Sequence, residues 1–184
     1  DAMGSCIGPS TRALLPVHLY GTMVDMDPIV DLATSAGLAI VEDACHALGS
    51  KYTDDTGQMF RAGACGHSDM AAFSFHPIKT IAMGEGGALT TADKALADRL
   101  RLLRNHGMTR DAGAFVHHDM AFDSSGDANP WYYEMHEPGF NYRASDIHCA
   151  LGLSQLGKLD RFAGRRRELA ACYDGQLAKL SPLV

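Results

Sequence analysis

The stretch FSFHPIKTIAMGEGG (73–87) carries a single lysine, Lys79, amid aromatic, proline and glycine residues. A solvated lysine normally keeps polar company, whereas this one follows MAAFSF (70–75), which reads as a strand with a buried face. Apolar surroundings or a neighbouring cation favour the neutral amine, which can then act as a nucleophile and form a Schiff base. Other residues offer partners for that chemistry. Asp43 lies at the end of the apolar run LAIVEDA (38–44), where ligands bind in open α/β sheets. His46 follows it by three residues, Ser74 precedes Lys79 by five, and GEGG (84–87) frees the backbone for a tight turn.

Pyridoxal 5'-phosphate is the cofactor suited to a lysine Schiff base, and it makes specific demands: a carboxylate on the ring nitrogen and donors for the phosphate. Asp43 would keep that nitrogen protonated, Ser74 would place a hydroxyl on the phosphate, and His46 would lie against the ring or its 3-oxygen. Read singly, each residue has a plainer account. A strand-end Asp often caps or pairs, a strand Ser is a small core hydroxyl, and a lone His is commonly structural. A zinc site built from Cys45-His46, Cys65-x-His67 and His117-His118-x-Asp119 is an alternative, although no helical His-x-x-x-His or CxxC spacing supports it.

The elements that must position these residues follow from the hydrophobic pattern. RALLPVHL (12–19) reads as a buried strand. MDPIVDLATSAG follows as a helix with Asp27 as N-cap, Pro28 at the first position and Gly37 closing it. LAIVEDA completes a strand–helix–strand unit, hence a parallel sheet with helices on its faces. Residues 50–68 read as a loop or short hairpin, and 70–75 and 86–91 as strands flanking the lysine. A Thr- or Asp-capped helix runs to Gly107, residues 108–138 lack a period, and 144–158 and 159–180 read as two helices.

The bulk numbers narrow the class. The chain has 184 residues, 46% of them hydrophobic and 21% charged, as in a globular domain with a sizeable core. A net charge of −6 argues against general binding of nucleic acid or anionic membranes. No stretch approaches the ~20 apolar residues that a membrane span needs. The five scattered cysteines suit reduced thiols in a cytoplasmic protein.

VEDACHALGSKY (41–52), GHSDMAAFSFHPIKTIAMGEGGALTT (66–91), LRNHG (103–107) and GFNYRASDIHCALGLSQLGKLDRF (139–162) together resemble consecutive blocks of the DegT/DnrJ/EryC1/StrS family, and PVHLYG (16–21) fits the same pattern. These are pyridoxal phosphate-dependent sugar aminotransferases with the aspartate aminotransferase type I fold. The resemblance implies an α/β large domain over 1–158, mainly a parallel sheet flanked by helices, and a helix over 159–184 leading toward a small domain. It implies that Lys79 carries the cofactor and shuttles the proton, that Asp43 pairs with the pyridine nitrogen, and that His46 stands where many members have glutamine. Ser74 would contact the phosphate. Asn141, with Arg143 close by, would reach the phosphate in the neighbouring subunit of a homodimer. DACHALG with FSFHPIK looks most like the branch acting on UDP-linked 4-keto-6-deoxy-N-acetyl-hexosamines with L-glutamate as amino donor, as in pseudaminic acid synthesis. Relatives that dehydrate sugars have histidine in place of the lysine, so Lys79 favours transamination. The family's N-terminal phosphate-binding turn and ring-stacking aromatic have no match here, nor does its C-terminal small domain. The expectation is therefore a fragment, which by itself binds the cofactor poorly or is catalytically incompetent.

Overall fold

The computed structural model describes residues 2–180, which divide between two compact units, 2–92 with 144–180 and Asp93–Arg143. The first unit opens with a short helix, α1 (Ala2–Ser5), and a strand, β1 (Ala13–Leu14), followed by α2 (Asp27–Ala36) and β2 (Ala39–Asp43). A hairpin of β3 (Lys51–Thr53) and β4 (Met59–Arg61) leads to β5 (Met70–Ser74) and β6 (Gly87–Thr90). The main sheet has the order β1-β2-β5-β6. β1, β2 and β5 run parallel and β6 returns antiparallel, pairing Ser74 with Gly87. The sheet is thus mainly parallel, as its apolar runs and helical crossover require.

One face of this sheet is covered by α2. Its Ile29 and Ala33 bury against Leu14, Ile40 and Met26, the centre of one core cluster. Left-handed Gly37, at φ 63°, ends the helix, and its N–H reaches back to Ala33 and Thr34 carbonyls. Two details differ from the sequence reading. Met26, not Asp27, occupies the N-cap; Asp27 is the first helical residue, and its carboxylate accepts from the Asp55 amide at 2.8 Å. The run 12–19 forms only the short β1, because Pro16 has no N–H to donate and the chain then turns into a 3-10 segment at Leu19–Gly21. Val17 still forms a parallel bridge to Asp43.

A second cluster, Ala44, Ala47, Ala71 and Phe73, packs where β2 and β5 end. Two helices complete this unit: α5 (Asp146–Leu156), capped by the Ser145 hydroxyl, and α6 (Leu159–Leu177).

The second unit starts with α3 (Lys94–Arg104), whose N-cap Asp93 accepts from the Ala95 and Leu96 amides, and continues through β7 (Met108–Thr109), α4 (His118–Ala121) and β8 (Glu134–Met135). The aperiodic stretch is therefore structured: Phe115, Ala121 and Tyr132 form a small core, and β7 pairs antiparallel with β8. Helix α3 stops at Arg104, short of Gly107, with Asn105 as its C-cap. Gly107 has φ 70°, and a Cβ there would lie 1.7 Å from the Glu137 carbonyl oxygen, so no other residue fits.

Candidate active site

Asp43 and Ser74 are the last residues of adjacent parallel strands, so the topology brings both to the carboxyl edge of the sheet. The Asp43 backbone is clamped: its N–H donates to Pro16 at 2.8 Å, and its carbonyl accepts from the His18 amide at 3.0 Å. Its carboxylate accepts from the Cys45 amide at 3.0 Å. Hydrogen bonding from Cys45, aided by the Lys79 charge, outweighs burial and holds the Asp43 carboxyl below its ordinary value. Burial and Asp43 push the Cys45 thiol up in turn. At neutral pH this is an ionised carboxylate beside a neutral thiol.

Lys79 sits in the connection between β5 and β6. A turn closed by the Lys79 N–H on the His76 carbonyl carries it, at 2.9 Å, and the connection is pinned by Met83 N–H to Phe75 and Phe75 N–H to Gly86, both 2.9 Å. Ile81 and Met83 are buried beneath it, so the lysine turn is anchored by apolar side chains rather than loose. Gly87 is dictated by strand pairing, since a Cβ there would stand 2.4 Å from the Phe73 carbonyl oxygen. The Lys79 charge is felt at both Asp43 and Cys45. Ser74 is half-buried, and its hydroxyl accepts from the His76 amide at 3.4 Å, leaving its own proton to give. His46 is exposed, its ring stacked on Tyr20 at 5.8 Å and 14°.

Asp43, His46, Ser74 and Lys79 all belong to the first unit, whereas Asn141 and Arg143 belong to the second. There Arg143 donates to the Asn105 side-chain oxygen at 2.6 Å, and Asn141 bridges Asn105 through the backbone. Among the described residues no group of three or more His, Cys, Asp or Glu is arranged to hold a metal ion. His67 meets the Tyr52 hydroxyl at 2.7 Å, and the His117 amide donates to Glu134 at 2.8 Å. All five cysteines are free thiols, and no described helix is long and apolar enough to cross a membrane. A groove of about 390 Å³ between α2 and residues 66–69 shares no residue with this edge.

Residue-level reading missed what lies on the other face of β2. Glu42 is buried at 1% exposure, accepting from the equally buried His18 ring at 2.7 Å and from the Ser68 hydroxyl. The Val24 amide donates to His18 Nδ1 at 3.2 Å, so the His18 proton is on Nε2, pointing at Glu42. One signal was available: a Glu at a core-facing position of an apolar strand demands buried donors.

A carboxylate and a hydroxyl thus end neighbouring strands of a mainly parallel α/β sheet, with a lysine in the connection that follows. The chain belongs to the DegT/DnrJ/EryC1/StrS aminotransferase family, whose profile matches residues 1–184. It is 39% identical over 180 residues to the spore coat polysaccharide biosynthesis protein SpsC of Bacillus subtilis, covering 98% of this chain and 42% of SpsC. Among solved structures it resembles Helicobacter pylori PseC, an aminotransferase of pseudoaminic acid biosynthesis, with TM-score 0.78, 30% identity, and coverage of 96% of this chain and 41% of PseC. The putative sugar aminotransferase Spr1654 of Streptococcus pneumoniae, solved in its PMP form, matches with TM-score 0.78 and 28% identity over 97% of this chain and 46% of its own; a PLP form is also known. The fold is that of the pyridoxal phosphate-dependent sugar aminotransferases, over part of its extent, and pyridoxal 5'-phosphate is the family's cofactor. The chain spans less than half the length of each of these relatives.

Proposed function

We propose that this chain is part of a pyridoxal phosphate-dependent transaminase. It would move the amine of L-glutamate to a UDP-linked 4-keto-6-deoxy sugar for cell-surface polysaccharide synthesis. The observation that carries the reading is that Asp43 and Ser74 end neighbouring parallel strands, with Lys79 in the anchored connection after β5. The likeness to SpsC and PseC supports a sugar substrate.

When bound, the cofactor supplies an electrophilic carbon and a ring that withdraws electrons from the bond being broken. Asp43, ionised at neutral pH, would hold a proton on the ring nitrogen. Ser74 would donate its hydroxyl to the phosphate. Lys79 would hold the cofactor through its amine and, as a free amine, would carry a proton between the reacting carbons. Because β2 and β5 are neighbours, both groups rest on one rigid element pair.

In the same reading, residues 1–158 belong to the cofactor-binding domain and 159–184 lead toward a small domain. The enzyme is a cytoplasmic homodimer in which Asn141, with Arg143, completes the neighbouring subunit's phosphate site. The exposed apolar side chains Ile147, Leu153 and Tyr173 on α5 and α6 support association with further protein surface.

The test is the visible spectrum of the chain with added pyridoxal phosphate. A Schiff-base band in the native chain, absent from Lys79→Ala, is the expected result. A band that survives Lys79→Ala would sink the assignment. Asp43→Ala should leave the band weaker and more easily lost on dilution, and an unchanged affinity would remove Asp43 from the site.

A further inference from the structure

The strap Pro16–Gly21 holds both groups that would face the cofactor ring. Its first half grips the Asp43 backbone through Pro16 and His18, and the buried His18–Glu42 pair fixes that half in place. Its second half grips His46. The Tyr20 N–H donates to His46 Nδ1 at 3.2 Å, and the Tyr20 ring stacks on the imidazole at 5.8 Å, nearly parallel. The Ser50 hydroxyl ties the strap's end, donating to the Gly21 carbonyl at 2.8 Å.

Two features of Tyr20 have no account in packing alone. Its backbone is left-handed, at φ 55°, a conformation unfavourable for an aromatic residue. Its side chain is 87% exposed, so it contributes little to a core. Both are explained by His46. From this left-handed turn the Tyr20 N–H meets the imidazole, and the ring covers the same imidazole.

An amide can only donate, so Nδ1 must accept and the neutral ring carries its proton on Nε2. We propose that Tyr20 is a positioning residue that fixes His46 as this single tautomer, so that the site offers one N–H donor of set direction to an acceptor on a bound cofactor. The cofactor part of this inference rests on the reading given under Proposed function; the tautomer does not.

Nitrogen-15 NMR of the imidazoles in the full chain, with His46 assigned by the signal lost in His46→Gln, tests it without any cofactor. The expected pattern is a protonated Nε2 and an unprotonated Nδ1 in the native chain, in Tyr20→Phe and in Tyr20→Ala, which keeps the backbone donor; in Tyr20→Ala the imidazole signals move because the stacked ring that holds its orientation is gone. Because Tyr20 is exposed, both variants should fold, and a far-UV spectrum checks this. Titration with pyridoxal phosphate should then show binding about 3- to 10-fold weaker in Tyr20→Ala and unchanged in Tyr20→Phe. A native His46 protonated on Nδ1 overturns the proposal. So does a Tyr20→Ala chain with native imidazole shifts. Unchanged affinity in Tyr20→Ala, despite the lost ring stacking, overturns its cofactor part. A native chain that binds no pyridoxal phosphate but shows the expected tautomer supports the positioning role and counts against the site reading instead.

Discussion

A carboxylate buried inside a sheet must find donors or lose its charge, and Glu42 finds them in His18 and Ser68. Burial pushes its pKa up; the hydrogen bonds from His18 and Ser68 outweigh that and bring it below 4.5. A depressed folded-state pKa stabilises the protein above the unfolded value, and that stabilisation is lost as pH falls through the folded one. Glu42→Gln should therefore cost ~1–3 kcal/mol at neutral pH, and its disadvantage should shrink on acidification. Urea unfolding at a series of pH values checks both; a constant difference would mean that Glu42 is not ionised in the fold. Asp43 and Lys79 stand out as candidates in the sequence because an acidic strand end and a lone lysine in apolar company are local patterns. His18 and Tyr20 do not. Their roles depend on which residues the parallel pairing sets beside PVHLYG, and spacing along the chain does not encode that.

At the scale of elements, the lysine turn depends on the β5–β6 pairing. Gly87→Ala places a methyl group against the Phe73 carbonyl, backbone against backbone, so neither side can yield. A loss of about 2–3 kcal/mol is expected, together with weakened pyridoxal phosphate binding; native thermal stability would refute the packing argument. In the second unit, one side chain organises the loop. Burial raises the Glu134 pKa, but the His117 and Val116 amides, the Tyr132 hydroxyl and His136 hold it down to about 2. The sign is the same as for Glu42: the contribution is present above 4.5 and lost as pH falls toward 2. Amide exchange at Val116 and His117 should be slow at neutral pH and fast in Glu134→Gln. Equal exchange in the two proteins would show that the carboxylate does not hold the loop. Helices and the βαβ unit were readable from apolar period and capping residues. The stretch 108–138 was not, because its order comes from one carboxylate and a small aromatic cluster rather than from a repeat.

For the molecule as a whole, the consequence of the antiparallel return at β6 is one of timing. Within the main sheet, Ser74 and Gly87 have the shortest sequence separation of any pairing, whereas β1 with β2 and β2 with β5 must close longer crossovers. Short closures are entropically cheaper and faster. The lysine arm should thus form before the strand that carries Asp43 docks beside it, and pulse-labelled hydrogen exchange during refolding should protect residues 71–74 and 87–90 first. Simultaneous protection of 39–43 would contradict that order. A nascent chain would then present its reactive amine ahead of the carboxylate that tunes the cofactor, and capture of pyridoxal phosphate would wait on the last parallel strand to arrive.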